Sequence, residues 1–384
     1  MEINKLPPEL LIQIFNYMPE MIVNVAKVCK YFNVIATSQI KNLSIIFERE
    51  SEEKIISISD ELNNFKSIHN MKLACSLDVN IAEKADFCAM HSNKITHLIL
   101  SDFSFLNPFF DQHDVIFTKL HTLEIINSDL TSSSEELPSF ILKTCIALKN
   151  LKISGCSGLE IESLNEIGRN LCNTKIEKIE LHPTYSYYDM RNIDESWTIE
   201  NLKTLSVRSK LVVMKKNFVR NMLGNRRKSL NLKRLELIAE LHFGSNFIST
   251  ILQQFPNLEH LAIGKGVTEI RNNDFTDICN QYNQLKTLEY HFIHHDENLE
   301  LKHRLNVNES LQSLTIGITK IINFNDLTRI SKSFPNLKKL SLIVYYVISS
   351  NEEYIKRIIK IFPHIKEFNL NHIGQLENIK IILN

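Results

Sequence analysis

The stretch of sequence that decides the fold reads Leu148-Lys-Asn-Leu151-Lys-Ile153-Ser-Gly-Cys156. Leucine or isoleucine occupies its first, fourth and sixth places, polar residues stand between them, and a small residue of a type often buried occupies the ninth. The alternation at the fourth and sixth places predicts a short strand with one buried face.

The same frame of three apolar residues recurs along nearly the whole chain. Its central residues are 25 to 30 positions apart between residues 43 and 368. A fixed period of this length with this frame is typical of a leucine-rich-repeat solenoid, in which strands stack as a parallel ladder over a continuous core. The frames are Ile40/Leu43/Ile45 and Ile68/Met71/Leu73, both weak, then Ile95/Leu98/Leu100, Leu120/Leu123/Ile125, Leu148/Leu151/Ile153, Ile176/Ile179/Leu181, Leu202/Leu205/Val207, Leu232/Leu235/Leu237, Leu258/Leu261/Ile263, Leu285/Leu288/Tyr290, Leu311/Leu314/Ile316, Leu337/Leu340/Leu342 and Ile365/Phe368/Leu370.

Helices are predicted to return the chain from one strand to the next. Three of them run into Phe-Pro-Asn-Leu or a near copy, at residues 255–258, 334–337 and 362–365. Proline has no amide hydrogen with which to continue a helix, so each helix should stop there. The clearest predicted return helices span residues 136–147, 164–171, 247–255, 275–282, 327–334 and 353–362.

These patterns predict an α/β fold for residues 41–384: a horseshoe of about 12–13 repeats, the first two degenerate. A parallel β-sheet should line the concave face, with helices or irregular segments on the convex face. Side chains at the fifth place of each frame should point from the concave face toward a partner. In chain order they are Lys72, Ile99, Glu124, Lys152, Glu180, Ser206, Glu236, Ala262, Glu289, Thr315, Ser341 and Asn369. This mixed, polar column suits a protein ligand better than a nucleic acid.

Composition excludes several classes of protein. Lys plus Arg and Asp plus Glu both number 44, so the net charge is zero and no general attraction to nucleic acid or membranes is expected. No apolar run reaches the length of a membrane-spanning helix, and the first residues lack the pattern of a secretory signal. The seven cysteines are scattered and odd in number, which argues against a disulfide framework and favours the cytoplasm or nucleus.

Residues 1–40 do not follow the repeat. Leu6-Pro-Pro-Glu-Leu-Leu-Ile-Gln-Ile-Phe-Asn-Tyr-Met-Pro19, followed by Val28-Cys-Lys-Tyr-Phe32, resembles an F-box, although Met21 and Phe32 stand where that family usually has Asp and Trp. With the repeats behind it, the chain resembles the F-box/leucine-rich-repeat family. Another interpretation of residues 1–40 is a helical cap over the open end of the solenoid.

The resemblance implies a function. Members of that family are substrate receptors of Skp–cullin–F-box ubiquitin ligases: the F-box binds the Skp adaptor, and through it a cullin–RING ligase, while the repeats bind a protein destined for ubiquitination and proteasomal degradation. The alternative function is a protein-binding scaffold that is not coupled to a ligase. The residues implied to contact the adaptor are Leu6, Pro7, Leu10, Leu11, Ile14, Phe15, Met18, Ile22, Val23, Val28, Cys29 and Phe32.

No pattern typical of an enzyme is found in the sequence. It contains no phosphate-binding loop, no Gly-x-Ser-x-Gly elbow and no His-Glu-x-x-His pair. Cys88-x-x-His91 and the histidines at 291, 294, 295 and 303 do not supply four ligands at zinc-finger spacing. We therefore expect a non-catalytic protein without a cofactor or metal.

Substrate recognition is predicted for the middle of the solenoid, where two unusual segments follow each other. Residues 182–197 are rich in aromatic residues, which are common interface hot spots, and residues 208–234 contain ten basic residues and no acidic one. The basic residues would attract an acidic or phosphorylated segment, or a small anion near Lys178, Arg208 and Arg234. The predicted substrate-binding residues are Tyr185, Tyr187, Tyr188, Trp197, Arg208, Arg226, Arg227, Lys228 and Arg234.

Overall fold

A computed structural model of the 384-residue chain provides the structure. It describes residues 10, 13, 42–47, 69–75, 92–103, 116–131, 135–159, 161–182, 201–215, 230–242, 247–264, 272–291, 301, 303–318, 322–345, 352–372 and 378–383. The chain forms two compact units, unit 1 (Met1–Leu159) and unit 2 (Glu160–Asn384). No helix in the described part of the chain combines the length and the hydropathy needed to span a membrane.

Unit 1 contains a ladder of parallel strands. Each strand pairs with the next one along the chain, and the register joins equivalent places of successive repeats, as in Leu98 opposite Leu123 and Leu123 opposite Leu151. The two weak frames at the start of the ladder also form strands. The strands are β1 (Asn42–Phe47), β2 (Asn70–Cys75), β3 (His97–Ser101), β4 (Thr122–Ile126) and β5 (Asn150–Ser154).

Unit 2 contains a second, longer ladder of the same kind. Its strands also pair in parallel with their neighbours in the chain, up to β13. The strands are β6 (Lys178–His182), β7 (Thr204–Lys215), β8 (Arg234–His242), β9 (His260–Gly264), β10 (Thr287–His291), β11 (Ser313–Ile318), β12 (Lys339–Val344), β13 (Glu367–His372) and β14 (Asn378–Ile382). The predicted α/β class and parallel strands are thus confirmed.

The predicted frames form the core. From Ile95 onward, every first, fourth and sixth residue of the frames is buried, and Leu288 and Leu340 have no exposed surface at all. The residues at the fifth place align in the predicted order within each unit, for example Ser206 opposite Glu236. We call the sheet face that carries the third, fifth and seventh places the open face.

Helices connect most of the later strands. They are α1 (Glu136–Ser139), α2 (Ile161–Arg169), α3 (Phe247–Gln254), α4 (Asn272–Gln281), α5 (Phe324–Ser333) and α6 (Glu352–Ile361). Helices α3, α5 and α6 end two residues before a proline, as the Phe-Pro pattern predicts. The asparagine after the proline then ties adjacent repeats together: Asn257 Nδ2 donates to the carbonyl of Leu230 at 3.0 Å, and Asn336 Nδ2 to that of Glu309 at 2.9 Å.

The predicted helix at residues 136–147 differs from the observed one. After α1 the chain continues as a π-helical turn, Phe140–Thr144, and the helix is over at Cys145. The wider turn buries Phe140, Ile141 and Thr144 together, and the Phe140 ring lies edge-on to Phe117 with the centroids 6.0 Å apart. Packing of the Phe140 ring in the core therefore contributes more to stability here than regular α-helical hydrogen bonding.

The last described strand departs from the ladder. β14 pairs antiparallel with β13, with Ile382 opposite Glu367. The repeated frame does not predict this strand, for which the chain reverses its direction. The return saturates the edge of β13 with backbone hydrogen bonds, which an uncovered last strand would leave unpaired.

Two tyrosines in the core of unit 2 differ in how their hydroxyls are satisfied. Tyr282 Oη donates a 3.1 Å hydrogen bond to the carbonyl of Ile251. Tyr290 takes the place of a frame leucine, and its ring lies edge-on to Phe275 at 5.4 Å. Its buried hydroxyl has no hydrogen-bond partner among the described residues. Burial raises the pKa of both phenols.

This contrast predicts opposite effects for the same substitution. Tyr290→Phe removes a buried hydroxyl that has no partner and should stabilise unit 2 by about 1 kcal/mol, whereas Tyr282→Phe breaks a made bond and should destabilise it by about as much. Urea-unfolding curves of the two variants and the wild type measure both effects. A loss of stability in Tyr290→Phe would show that its hydroxyl is bonded in solution.

Candidate functional site

Three strands on the open face of unit 2 gather polar groups around one buried carboxylate. Glu236 on β8 has only 6% of its side chain exposed. Arg208 Nε donates a 2.7 Å hydrogen bond to Glu236 Oε2, and Arg234 pairs with Oε1 of the same carboxylate. Ser206 Oγ donates to Oε2 at 2.6 Å and lies 3.3 Å from His182 Nε2. One acid therefore serves as the shared acceptor for two guanidinium groups and a hydroxyl.

Arg208 also reaches much further along the sheet. Its Nη2 donates a 3.0 Å bond to Glu289 Oε2 on β10, with β8 and β9 lying in between. In the register of the ladder, Ala262 separates Glu236 from Glu289. Neighbouring strands lie about 4.8 Å apart, so the two strands whose glutamates Arg208 joins are roughly 10 Å apart. Ala262, a buried residue with a methyl side chain, leaves room for this crossing.

His291 continues the chain of contacts from Glu289. Its Nε2 lies 2.9 Å from Glu289 Oε1, and its Nδ1 lies 2.6 Å from Tyr345 Oη. A carboxylate can only accept, so Nε2 carries the proton, and in the neutral ring Nδ1 then accepts from the tyrosine hydroxyl. Glycines flank His291 on both neighbouring strands, Gly264 and Gly317. A Cβ on Gly264 would stand 2.6 Å from that of His291, and its φ of +124° also favours glycine.

The pKa values follow from this packing. Burial acts to raise the pKa of Glu236, but the bonds from Arg208 and Ser206 and the nearby charge of Arg234 outweigh it and lower the pKa to about 2. The bond to Glu236 in turn raises the pKa of Arg208 above its ordinary value. Glu289 also has a lowered pKa: burial opposes ionisation, but His291 and Arg208 favour it more strongly. These four charged residues, Arg208, Arg234, Glu236 and Glu289, form what we call the arginine–glutamate cluster.

The cluster changes how the predicted basic region is understood. The sequence of residues 208–234 has no acidic residue, yet both arginines at its ends are paired. Arg208 is bonded to carboxylates of β8 and β10, and Arg234 to Glu236 of its own strand. Lys178 likewise pairs with Glu180 at 3.0 Å. An anion that approached these three cations would have to compete with bonds that already exist. The assignment of Arg208 and Arg234 to substrate binding, and of Lys178, Arg208 and Arg234 to a small anion, stays a prediction.

Most of the predicted site residues fall outside the described part of the chain. This holds for Tyr185, Tyr187, Tyr188, Trp197, Arg226, Arg227 and Lys228, and for all the predicted adaptor contacts except Leu10. Within the fifth-place column of unit 1, Lys152 Nζ lies 3.1 Å from Glu124 Oε2.

The sequence places Glu236, Ala262 and Glu289 in one column but does not identify the arginine–glutamate cluster. A signal that could have found the cluster is the small Ala262 between the two glutamates, together with Arg208 at the seventh place of a nearby frame. The partnership of His291 with Tyr345 has no such signal, because Tyr345 follows the end of β12 and lies outside the repeated frame.

The N-terminal segment is described at Leu10 and Gln13, which are both helical and exposed. Leu10 exposes 46% of its surface, although it belongs to the apolar stripe predicted for adaptor binding. The family model for F-box-like sequences matches residues 3–41. The chain joins an F-box-like segment to a leucine-rich-repeat solenoid. Comparison with curated protein sequences gave no match.

Several solved structures resemble the chain over most of its length. Rad7 in the yeast Rad7–Elc1 complex superposes with a TM-score of 0.52 at 12% identity, covering 96% of this chain and 93% of that one. An internalin from Listeria monocytogenes has a TM-score of 0.43 at 12% identity, covering 93% and 94%. The leucine-rich-repeat protein LegL7 from Legionella pneumophila has a TM-score of 0.36 at 13% identity, covering 88% and 92%. At these identities the likeness to Rad7 concerns the fold.

Proposed function

We propose that this protein is a non-catalytic substrate-recognition subunit of an Skp–cullin–F-box ubiquitin ligase, acting in the cytoplasm, the nucleus or both. The observation that carries the proposal is the F-box-like match at residues 3–41 directly ahead of a repeat solenoid. Rad7, which shares the fold, is found in a complex with a second protein, and this supports an architecture that works through a bound partner.

The two parts of the chain would divide the work. The F-box-like helix offers exposed Leu10 to an Skp-type adaptor, since a leucine left on a helix surface gains stability when a partner covers it. The open face of the repeats offers hydrogen-bonding and charged groups held in place by their neighbours, which suits recognition of a protein surface. The ligase then acts by proximity: the receptor raises the local concentration of a substrate lysine near the conjugating enzyme.

Adaptor binding gives the direct test. The double substitution Leu10→Ala with Ile14→Ala should abolish co-purification of an Skp-type adaptor. Interface hot spots typically cost about 2 kcal/mol or more each, which corresponds to roughly thirtyfold in affinity. The matched control is Gln13→Ala, which alters an exposed residue of the same segment that carries no apolar surface. The control should retain the adaptor.

The same variants separate the ligase subunit from a scaffold without ligase coupling. In affinity capture with ligase activity blocked, the double variant should lose adaptor and cullin and keep the proteins bound by its repeats. Circular dichroism must show that the repeats remain folded. If the folded double variant captures as much adaptor as the wild type, or if the wild type captures no cullin, the scaffold function is the better account.

A further inference from the structure

The residues at the second place of each frame in unit 2 form a continuous ladder at the start of the strands. Each backbone N–H donates to the carbonyl of the equivalent residue one repeat earlier, as Lys366 does to Lys338 at 2.7 Å. Side chains in such a ladder stand about 5 Å from their neighbours, so their charges interact directly. In order, this second-place ladder consists of Glu177, Lys203, Lys233, Glu259, Lys286, Gln312, Lys338 and Lys366.

In the first part of the ladder every lysine is paired with a carboxylate. Lys203 Nζ lies 2.8 Å from a Glu177 oxygen, and Glu259 is shared by Lys233 at 3.1 Å and Lys286 at 2.6 Å. The two lysines from the same ladder hold the pKa of the Glu259 carboxyl below its ordinary range. Each of these three lysines therefore has its counter-charge on a neighbouring strand.

In the last part of the ladder the described lysines are not paired. Lys338 and Lys366 are adjacent and exposed, and neither forms a side-chain hydrogen bond or ion pair with any described residue. The carboxylate next to them in the chain, Glu367, is occupied by Lys339 at 3.1 Å and Lys380 at 3.5 Å. Glu309, in the repeat before Lys338, lies within ion-pair distance of no described lysine.

Two more lysines reach the same end of the repeats. Lys332 lies in the last turn of α5 and Lys360 in the last turn of α6, and each helix leads through a short turn into β12 or β13. Both are exposed and make no ion pair within the described part of the chain. Other basic residues of α6 do have partners: Lys356 pairs with Glu352 at 2.6 Å, and the Arg357 guanidinium lies 4.0 Å from the Phe324 ring centroid. We call Lys332, Lys338, Lys360 and Lys366 the lysine edge.

From this arrangement we infer that the lysine edge is a docking surface for an acidic segment of a partner protein. Like charges on adjacent strands repel, and a chain with zero net charge has enough carboxylates to pair them, as it does at Lys203 and Lys286. A run of aspartates and glutamates supplies the missing counter-charges. Its extended backbone rises about 3.3 Å per residue, so carboxylates on alternate residues come near the spacing of Lys338 and Lys366.

The inference rests on the proposed function in one respect: the partner is a protein brought to the ligase. The surface lies in the last repeats of unit 2 and does not involve the F-box-like segment. A binding assay without adaptor therefore tests it separately: failure there leaves adaptor binding untouched, and loss of adaptor binding leaves this surface untouched.

The experiment measures binding of a fluorescein-labelled decapeptide of alternating glutamate and serine to the full chain by fluorescence anisotropy. Lys338→Gln with Lys366→Gln should weaken binding about tenfold at low salt. The matched control is Lys203→Gln with Lys286→Gln, which changes the net charge by the same amount in the same ladder and should stay within about twofold of the wild type. Binding of the wild type should be largely gone at about 0.5 M salt, where exposed charges are screened.

Three outcomes would overturn the inference. The first is equal binding by the wild type and the Lys338/Lys366 variant. The second is an equal loss in the Lys203/Lys286 control, which would mean that only net charge matters. The third is binding of a single-stranded DNA dodecamer that is as tight as that of the peptide and equally sensitive to Lys338 and Lys366, because the surface would then accept any polyanion.

Discussion

Leu261→Asp is expected to abolish the cooperative unfolding of unit 2. Leu261 is 2% exposed and lies at the fourth place of β9, between Leu235 on β8 and Leu288 on β10. Losing a buried leucine side chain costs about 2–5 kcal/mol, and burying an unpaired carboxylate adds several more. The sum approaches the free energy of unfolding of a typical domain, which is about 5–15 kcal/mol.

The damage should also spread, because stacked repeats are stabilised by their neighbours on both sides. A thermal melt followed by circular dichroism measures it. The matched control is Ser313→Asp, which places the same carboxylate on the open face of β11, opposite Lys339 in the register. The control should melt within a few degrees of the wild type. A melt of Leu261→Asp that matches the wild type would contradict the placement of β9.

Glu236→Gln should produce the second-largest loss, about 3 kcal/mol. The amide keeps the shape of the side chain but removes the charge shared by Arg208 and Arg234. Breaking a buried ion pair typically costs about 3–5 kcal/mol, and the lower end applies because both guanidinium groups keep part of their solvent contact. Urea unfolding of the full chain measures the loss.

The control is Glu259→Gln, which also removes a carboxylate bonded to two cations. Glu259 is 26% exposed against 6% for Glu236, so water screens its charges and the loss should stay below about 1 kcal/mol. Equal losses in the two variants would mean that Glu236 is as well solvated as Glu259.

The Glu236 contribution should depend on pH in a defined window. Its folded pKa, about 2, lies below its ordinary value of 4.5, so the unfolded chain binds the proton more readily. The stabilisation is therefore complete above pH 4.5 and is lost as the pH falls toward 2. The stability difference between the wild type and Glu236→Gln should shrink over that interval. A difference that stays constant would exclude the carboxylate charge as its source.

Much of the repeat fold is readable from the sequence because a single requirement is imposed again and again. Each frame must bury its first, fourth and sixth residues, and this periodicity fixes strand positions, register and the order of the fifth-place column. The register pairs Ser206 with Glu236 and Ala262 with Glu289 for this reason. The Phe-Pro pattern fixes helix ends equally well, because proline removes a specific hydrogen bond.

The parts that sequence could not predict depend on features that have no period. The span from Arg208 to Glu289 depends on side-chain length and on the absence of a bulky residue at 262. The π-helical turn at Phe140–Thr144 depends on how aromatic rings fill the core. The antiparallel return of β14 depends on a reversal of direction that occurs once. Such features are decided by tertiary contacts and leave no repeated signature.

The reach of Arg208 has a consequence for how unit 2 loses its structure. A repeat array ordinarily behaves like a one-dimensional chain of coupled spins, in which each repeat senses only its nearest neighbours and the ends fray one repeat at a time. The Arg208–Glu289 bond joins repeats that are three apart, so β7, β8, β9 and β10 should unfold together. Amide protons of β9, which contributes no charge to the bond, should therefore exchange with solvent at rates close to those of β8 and β10. Arg208→Met should restore stepwise fraying and spread those rates apart.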